Sequence, residues 1–196
     1  MQTILAFGNS LTAGFGLAPD NSFAALLHRE IREKGIDARV INGGVSGDTT
    51  FEGLRRLEGL LRHEPDLVLV ELGANDLLMG LPVETVRANL ERIVDSCLDT
   101  GAEVILAGVS SLEGMDRDYS QRFHAEYADL AQSKNITLIP DFLPGIPGDP
   151  DLTLPDGLHP NERGAERIVR TVLPYLQPFL AASPEKSSQE RLHRDS

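Results

Sequence analysis

The chain has 196 residues, 41% of them hydrophobic and 24% charged, proportions that suit one ordinary globular domain and exclude a disordered or collagen-like chain. A formal net charge of −12 repels polyanions at long range, which argues against nucleic acid or an anionic membrane surface as a partner. The lone cysteine, Cys97, excludes an intrachain disulfide, and no apolar run approaches the ~20 residues needed to span a bilayer.

Met1-Gln2-Thr3 leads straight into an apolar run with no charged and apolar leader before it. The chain therefore reads as cytoplasmic as given, or as periplasmic or secreted if it is a processed form. Five apolar, largely β-branched runs follow one another at residues 3–7, 38–42, 66–72, 103–108 and 136–140. Helical spacing fills the gaps. Phe23, Leu26, Leu27 and Ile31 mark the first helix, and Thr49-Thr50-Phe51-Glu52 reads as a capping box opening a second that carries Leu54, Leu57, Leu60 and Leu61.

A third helix follows Pro82, with Val83, Val86, Leu90, Ile93, Val94 and Cys97 on one stripe and Gly101 as its stop. A fourth, over about 117–132, groups Phe123, Tyr127 and Leu130. Proline and glycine dominate from Pro140 to Pro155, which predicts a surface loop. The last helix is expected to begin at Pro160 and to bury Ala165, Ile168, Val169, Val172, Leu173 and Leu176.

Strands that are continuous apolar runs, alternating with helices, predict a parallel sheet covered on both faces. The expected architecture is α/β: a three-layer α/β/α sandwich with a five-stranded parallel sheet in the flavodoxin-like order 2-1-3-4-5, whose crevice opens beside strand 1. Residues 1–182 form its one domain, and residues 183–196, which have nothing to bury, form a disordered tail.

Chemistry concentrates where the strands end. Ile4-Leu5-Ala6-Phe7 runs directly into Gly8-Asn9-Ser10, so a hydroxyl is delivered at the carboxyl edge of the sheet. Asp156 and His159, three residues apart, allow a carboxylate to accept the imidazole Nδ1 proton and leave Nε2 free as a base. Read without the other stretches, Asp156-Gly157-Leu158-His159-Pro160 is first of all a turn before a helix cap. The backbone N–H groups of Ser10 and Gly47 and the side-chain amide of Asn75 offer three donors for an oxyanion, one such donor commonly contributing ~3 kcal/mol.

Other motifs fail on spacing. The second glycine of a G-x-S-x-G elbow is missing, neither a dinucleotide nor a phosphate loop is present, and the five histidines show no paired metal-ligand spacing. No cofactor and no metal are implied.

The four stretches around Ser10, Gly47, Asn75 and His159 resemble, in order, the blocks of the SGNH hydrolases, the GDSL esterase family. The match spans residues 3 to about 180. Ser46-Gly47-Asp48-Thr49 and Val70-Glu71-Leu72-Gly73-Ala74-Asn75-Asp76 are most similar to the bacterial arylesterase and acyl-CoA thioesterase I/lysophospholipase branch. The resemblance implies a serine esterase with Ser10 as nucleophile, His159 as base and acid, Asp156 orienting it, and Ser10, Gly47 and Asn75 as the oxyanion hole. It implies aryl and short- to medium-chain acyl esters, and acyl thioesters, as substrates.

One residue departs from the pattern. The family usually has aspartate before the nucleophile, and here it is Asn9, which keeps an acceptor oxygen but gives up the charge. A changed local hydrogen-bond network is expected, not loss of activity.

Leu77, Leu78, Met79 and Leu81 form a candidate acyl wall, which Phe15, Leu17 and the 109–118 segment would complete. Two alternatives stand beside the esterase. One is a carbohydrate O-acetyl esterase of the same family, which predicts a polar pocket around Asn75 and Gly145. The other is a flavodoxin-like binding domain in which Ser10 touches a phosphate and no base is needed. The partner in the leading reading is a small ester or thioester, without nucleic acid and without stable membrane insertion.

Overall fold

The structure is a computed structural model and describes residues 1–109 and 115–180. Five strands form its sheet: β1 (Gln2–Gly8), β2 (Ala38–Gly44), β3 (Leu67–Glu71), β4 (Glu103–Ala107) and β5 (Thr137–Ile139). All neighbours pair in parallel, in the order β2-β1-β3-β4-β5 anticipated from the alternation of apolar runs and helices. The helices are α1 (Ser10–Ala13), α2 (Phe23–Glu33), α3 (Thr50–Leu61), α4 (Ala74–Leu78), α5 (Val83–Leu98), α6 (Arg117–Lys134) and α7 (Glu162–Leu176).

Alternate side chains of each strand enter opposite cores, as the two-residue period requires. Ile4 and Ala6 of β1 join α2 and α7 on one face, through Phe23, Leu27, Ile168 and Val172. Leu5 and Phe7 join α3, α5 and α6 on the other, through Leu57, Leu90, Val94 and Phe123. Cys97 lies fully buried in this second core, where burial pushes its thiol up to about 12. The position is a packing one.

Most helix signals are realised. Thr49 and Glu52 make the reciprocal capping box of α3, although of the four leucines expected on its face only Leu57 is buried. Pro82 precedes α5, which ends at Leu98, and Gly101 at φ +84° donates its N–H to the Leu98 carbonyl as the chain leaves.

Two expectations are corrected. The last helix starts at Glu162, not at Pro160: Asn161 is the N-cap and accepts from the Gly164 N–H at 3.0 Å, while Pro160 bridges back to Thr153. The cap wins because Asn161 satisfies an N–H that a proline start leaves open. The 140–155 segment has no strand, as anticipated, yet it is no mere surface loop: Phe142, Leu143, Ile146 and Leu152 are buried in the first core. Its turns carry apolar side chains that the sheet's edge would otherwise expose.

The sequence also hid two short helices, α1 and α4, each one turn just past a strand. Among the described residues no helix is long and apolar enough to cross a membrane. Residues 110–114 of the proposed acyl wall and the expected 183–196 tail lie outside the described residues.

Candidate active site

Strand register places the site. Gly8 of β1 pairs with Gly44 of β2 on one side and Glu71 of β3 on the other, so these three strand ends form one row. Ser10, Gly47 and Asn75 follow that row by two, three and four residues respectively. Three segments far apart in sequence therefore open onto one edge.

Ser10 is the first residue of α1, where Asn9 caps the helix by accepting the Leu11 N–H on Oδ1 at 2.9 Å. The serine is buried, and its Oγ lies 3.0 Å from His159 Nε2 although the two are 149 residues apart. His159 Nδ1 lies 2.7 Å from Asp156 Oδ2. The other Asp156 oxygen accepts the backbone N–H groups of Leu158 and His159, both at 2.9 Å. Burial works to raise the Asp156 carboxyl, but these backbone bonds and the one from the His159 ring outweigh it and hold the group below the usual carboxylate range. An ionised Asp156 is acceptor-only, so it places the neutral imidazole's proton on Nδ1 and leaves the Nε2 lone pair facing the Ser10 hydroxyl.

Asn75 donates Nδ2 to the Asp48 carbonyl at 2.7 Å, which ties the start of α4 to the turn after β2. Gly47 stands in that turn at φ +88° with nothing within 4 Å of where a Cβ would be. Its glycine answers to the left-handed backbone. The N–H groups of Ser10 and Gly47 have no hydrogen-bond partner among the described residues.

The cleft beside Ser10 and His159 is lined by Leu11, Leu77, Leu78, Val109, Phe142, Leu143 and Leu158, with Asn9, Glu71 and Asn75 among its polar residues. Of the four residues expected to form the acyl wall, Leu77 and Leu78 line this cleft. Met79 is 65% exposed and points elsewhere, and Leu81 packs against the second core and gives its carbonyl to the Tyr119 hydroxyl. α4 ends at Leu78, and Gly80 at φ +64° turns the chain off the helix before Leu81, whose N–H bonds back to the Asp76 carbonyl. Phe15 lies over the His159 ring with centroids 4.4 Å apart, and Leu17 packs on the first core.

Three residues that sequence reading passed over underpin the site. Arg56 of α3 donates to Asp48 Oδ2 at 2.5 Å, to the Gly43 carbonyl at 2.7 Å and to the Gly8 carbonyl at 2.8 Å. Asp76 of α4, buried, accepts the Thr50 N–H and hydroxyl at 2.9 and 2.7 Å. Glu71, at the end of β3, is buried directly beneath the Ser10 turn. A charged residue closing an otherwise apolar strand was the available signal for Glu71; Arg56 carried none.

A hydroxyl, an imidazole and a carboxylate in file at the carboxyl edge of a doubly covered parallel sheet, beside an apolar cleft, are the equipment of a serine hydrolase acting on ester bonds. Comparison with known proteins agrees. Residues 6–167 match the GDSL-like Lipase/Acylhydrolase family, and the chain belongs to it. It is 40% identical over 172 residues to an arylesterase of Vibrio mimicus, covering 87% of this chain and 86% of that one. It is 34% identical over 180 residues to the thioesterase 1/protease 1/lysophospholipase L1 of Escherichia coli K12, covering 91% of this chain and 85% of the relative. The crystal structure of TesA superposes with a TM-score of 0.88 at 36% identity, covering 91% of this chain and all of that one. The reading as a non-catalytic binding domain is thereby set aside.

Proposed function

We propose that Ser10 attacks the carbonyl of a small carboxylic ester and carries the acyl group as an intermediate. His159 Nε2 takes the hydroxyl proton, returns it to the leaving alkoxide or phenoxide, and then activates the water that releases the acid. Asp156 holds Nδ1–H and balances the imidazolium. The N–H groups of Ser10 and Gly47, with the amide of Asn75, receive the charge that develops on the carbonyl oxygen.

The observation that carries this reading is the unbroken hydrogen-bonded file from Ser10 Oγ through His159 to Asp156, 3.0 and then 2.7 Å, joining segments from opposite ends of the domain. The donors support it. Two of them are backbone N–H groups without a partner among the described residues, the state in which an oxyanion hole waits for substrate.

The substrate reading is an ester with an aryl or short- to medium-chain acyl group, or the corresponding thioester. Leu11, Leu77, Leu78, Phe142 and Leu143 give the cleft an apolar wall that favours an alkyl or aryl chain. That wall disfavours the O-acetyl carbohydrate alternative, and Gly145, expected at such a polar pocket, faces Arg167.

A chain-length series of p-nitrophenyl esters and acyl-CoAs tests the proposal against Ser10→Ala. The variant should lose at least ~10⁴-fold in kcat/KM, with a fluorophosphonate probe labelling the native protein on Ser10 alone. Native-like turnover by Ser10→Ala would overturn the assignment.

A further inference from the structure

Glu71 is a fully buried carboxylate that the relay does not use, yet residues on both sides of the nucleophile bind it. Asn9 donates Nδ2 to Oε1 at 3.0 Å and its backbone N–H to Oε2 at 3.4 Å, and Thr12 donates its hydroxyl to Oε2 at 2.8 Å. Gly8 leaves the room, since a Cβ there would stand 2.5 Å from Oε2. The carboxylate also borders the cleft that Ser10 and His159 share.

From this arrangement we propose that Glu71 is a positioning residue of the reaction: its carboxylate, through Asn9 and Thr12, holds the turn that aims the Ser10 hydroxyl and N–H. The inference rests on the ester-hydrolase reading and deepens it.

Donor and acceptor counting supports a catalytic rather than a packing reason for the residue. Three donors converge on two carboxylate oxygens; the ionised group accepts all three, whereas a protonated one adds an O–H that must itself find an acceptor. A buried charge of this kind is a poor stabiliser, and a neutral side chain of similar volume packs at least as well. Asn9 explains how the charge is kept. Its Oδ1 is spent on capping α1, so its Nδ2 is free to donate to Glu71. An aspartate there would set two carboxylates about 3 Å apart, and one would have to hold a proton.

The titratable and charged groups around Glu71 do not replace this clamp. Tyr127 of α6 gives its hydroxyl to the Leu72 carbonyl, and the Arg56 guanidinium of α3 is committed to Asp48, Gly43 and Gly8. His159 stands across the cleft, and the stretch after β4 and the 140s segment present Gly108, Val109, Phe142 and Leu143 to it. Desolvation by burial outweighs the three donors and raises the Glu71 carboxyl to about 7, so the clamp titrates near neutral pH.

Three variants test the role: Glu71→Gln, the exchange N9D/E71Q, which swaps carboxylate and amide and reverses the bond, and Thr12→Val. Read-outs are kcat and KM for p-nitrophenyl butyrate from pH 5 to 9, and thermal midpoint at pH 8. Glu71→Gln should lower kcat about tenfold with KM unchanged and the midpoint equal or higher, and should remove one of two ionisations from the acid limb. The exchange should recover most of that loss. Thr12→Val keeps the carboxylate, so it remains informative if Glu71→Gln does not fold; it should move the second ionisation to higher pH. An unchanged kcat and acid limb in Glu71→Gln, or a kcat loss that the exchange does not recover and that tracks a fall in midpoint, would overturn the proposal. If the native protein is active and Ser10→Ala is not, such a result rejects Glu71 alone; an inactive native protein rejects the hydrolase reading itself.

Discussion

Asp156 works through two different groups at once. One oxygen faces the His159 ring and the other holds the backbone of its own turn, so the carboxylate sets both the tautomer and the loop that carries the imidazole. Asp156→Asn should keep the loop bonds but lose the charge and misassign the ring proton, lowering kcat by roughly 10²- to 10⁴-fold with KM little changed. Steady-state kinetics on p-nitrophenyl butyrate reads this directly; a loss under threefold would show that His159 needs no orienting carboxylate. Asn9 is the other residue whose meaning shifts with the structure. Its Nδ2 donates to Glu71 Oε1 while its Oδ1 caps α1, and an aspartate has no N–H to give to that carboxylate.

At the scale of elements, the site is held by ties between strand ends and the helices after them. Arg56, reaching back from α3, joins the ends of β1 and β2 through two carbonyls and lies over the Phe7 ring at 4.7 Å. Lysine keeps the charge but cannot present a planar fork to three acceptors. Arg56→Lys should therefore cost about 2 kcal/mol, read as a shift in the urea midpoint, because carbonyls already removed from water lose a donor. Asp76 makes the equivalent tie between α4 and α3 through Thr50, and Asn89 of α5 donates to the Thr50 hydroxyl at 3.1 Å.

For the whole molecule, Glu71 makes an unusual contribution to stability against pH. Its folded value, about 7, lies above the ordinary 4.5, so between those values the native state holds a proton that the unfolded chain has released. Stability from this group is therefore greatest below 4.5 and declines as pH rises to 7, by about 3 kcal/mol. Asp156 acts in the opposite sense, its contribution being present above its ordinary value and lost as pH falls through the lowered one. Denaturation curves at pH 5 and pH 8 should differ less in Glu71→Gln than in the native protein. An equal difference would show that Glu71 is not the group responsible.

Sheet order, strand identity and most helix limits were legible because each rests on a local pattern: an apolar run ended by glycine, a 3.6-residue stripe, a capping box at Thr49. The residues proposed to react were legible too, since Ser10, Gly47, Asn75 and His159 each follow a strand or precede a helix within a few residues. What lay beyond the sequence depends on contacts between segments distant in the chain. Glu71 could not be connected with Thr12 and Asn9, nor Arg56 with Gly8 and Gly43, until β1 lay between β2 and β3. Of the expected acyl wall only Leu77 and Leu78 line the cleft, because α4 ends at Leu78 and the turn through Gly80 carries Met79 and Leu81 away from it. Local chain chemistry thus determined which groups this protein brings to the sheet edge. Tertiary packing alone decided which of them are buried together, because desolvation and hydrogen-bond geometry exist only once those distant segments touch.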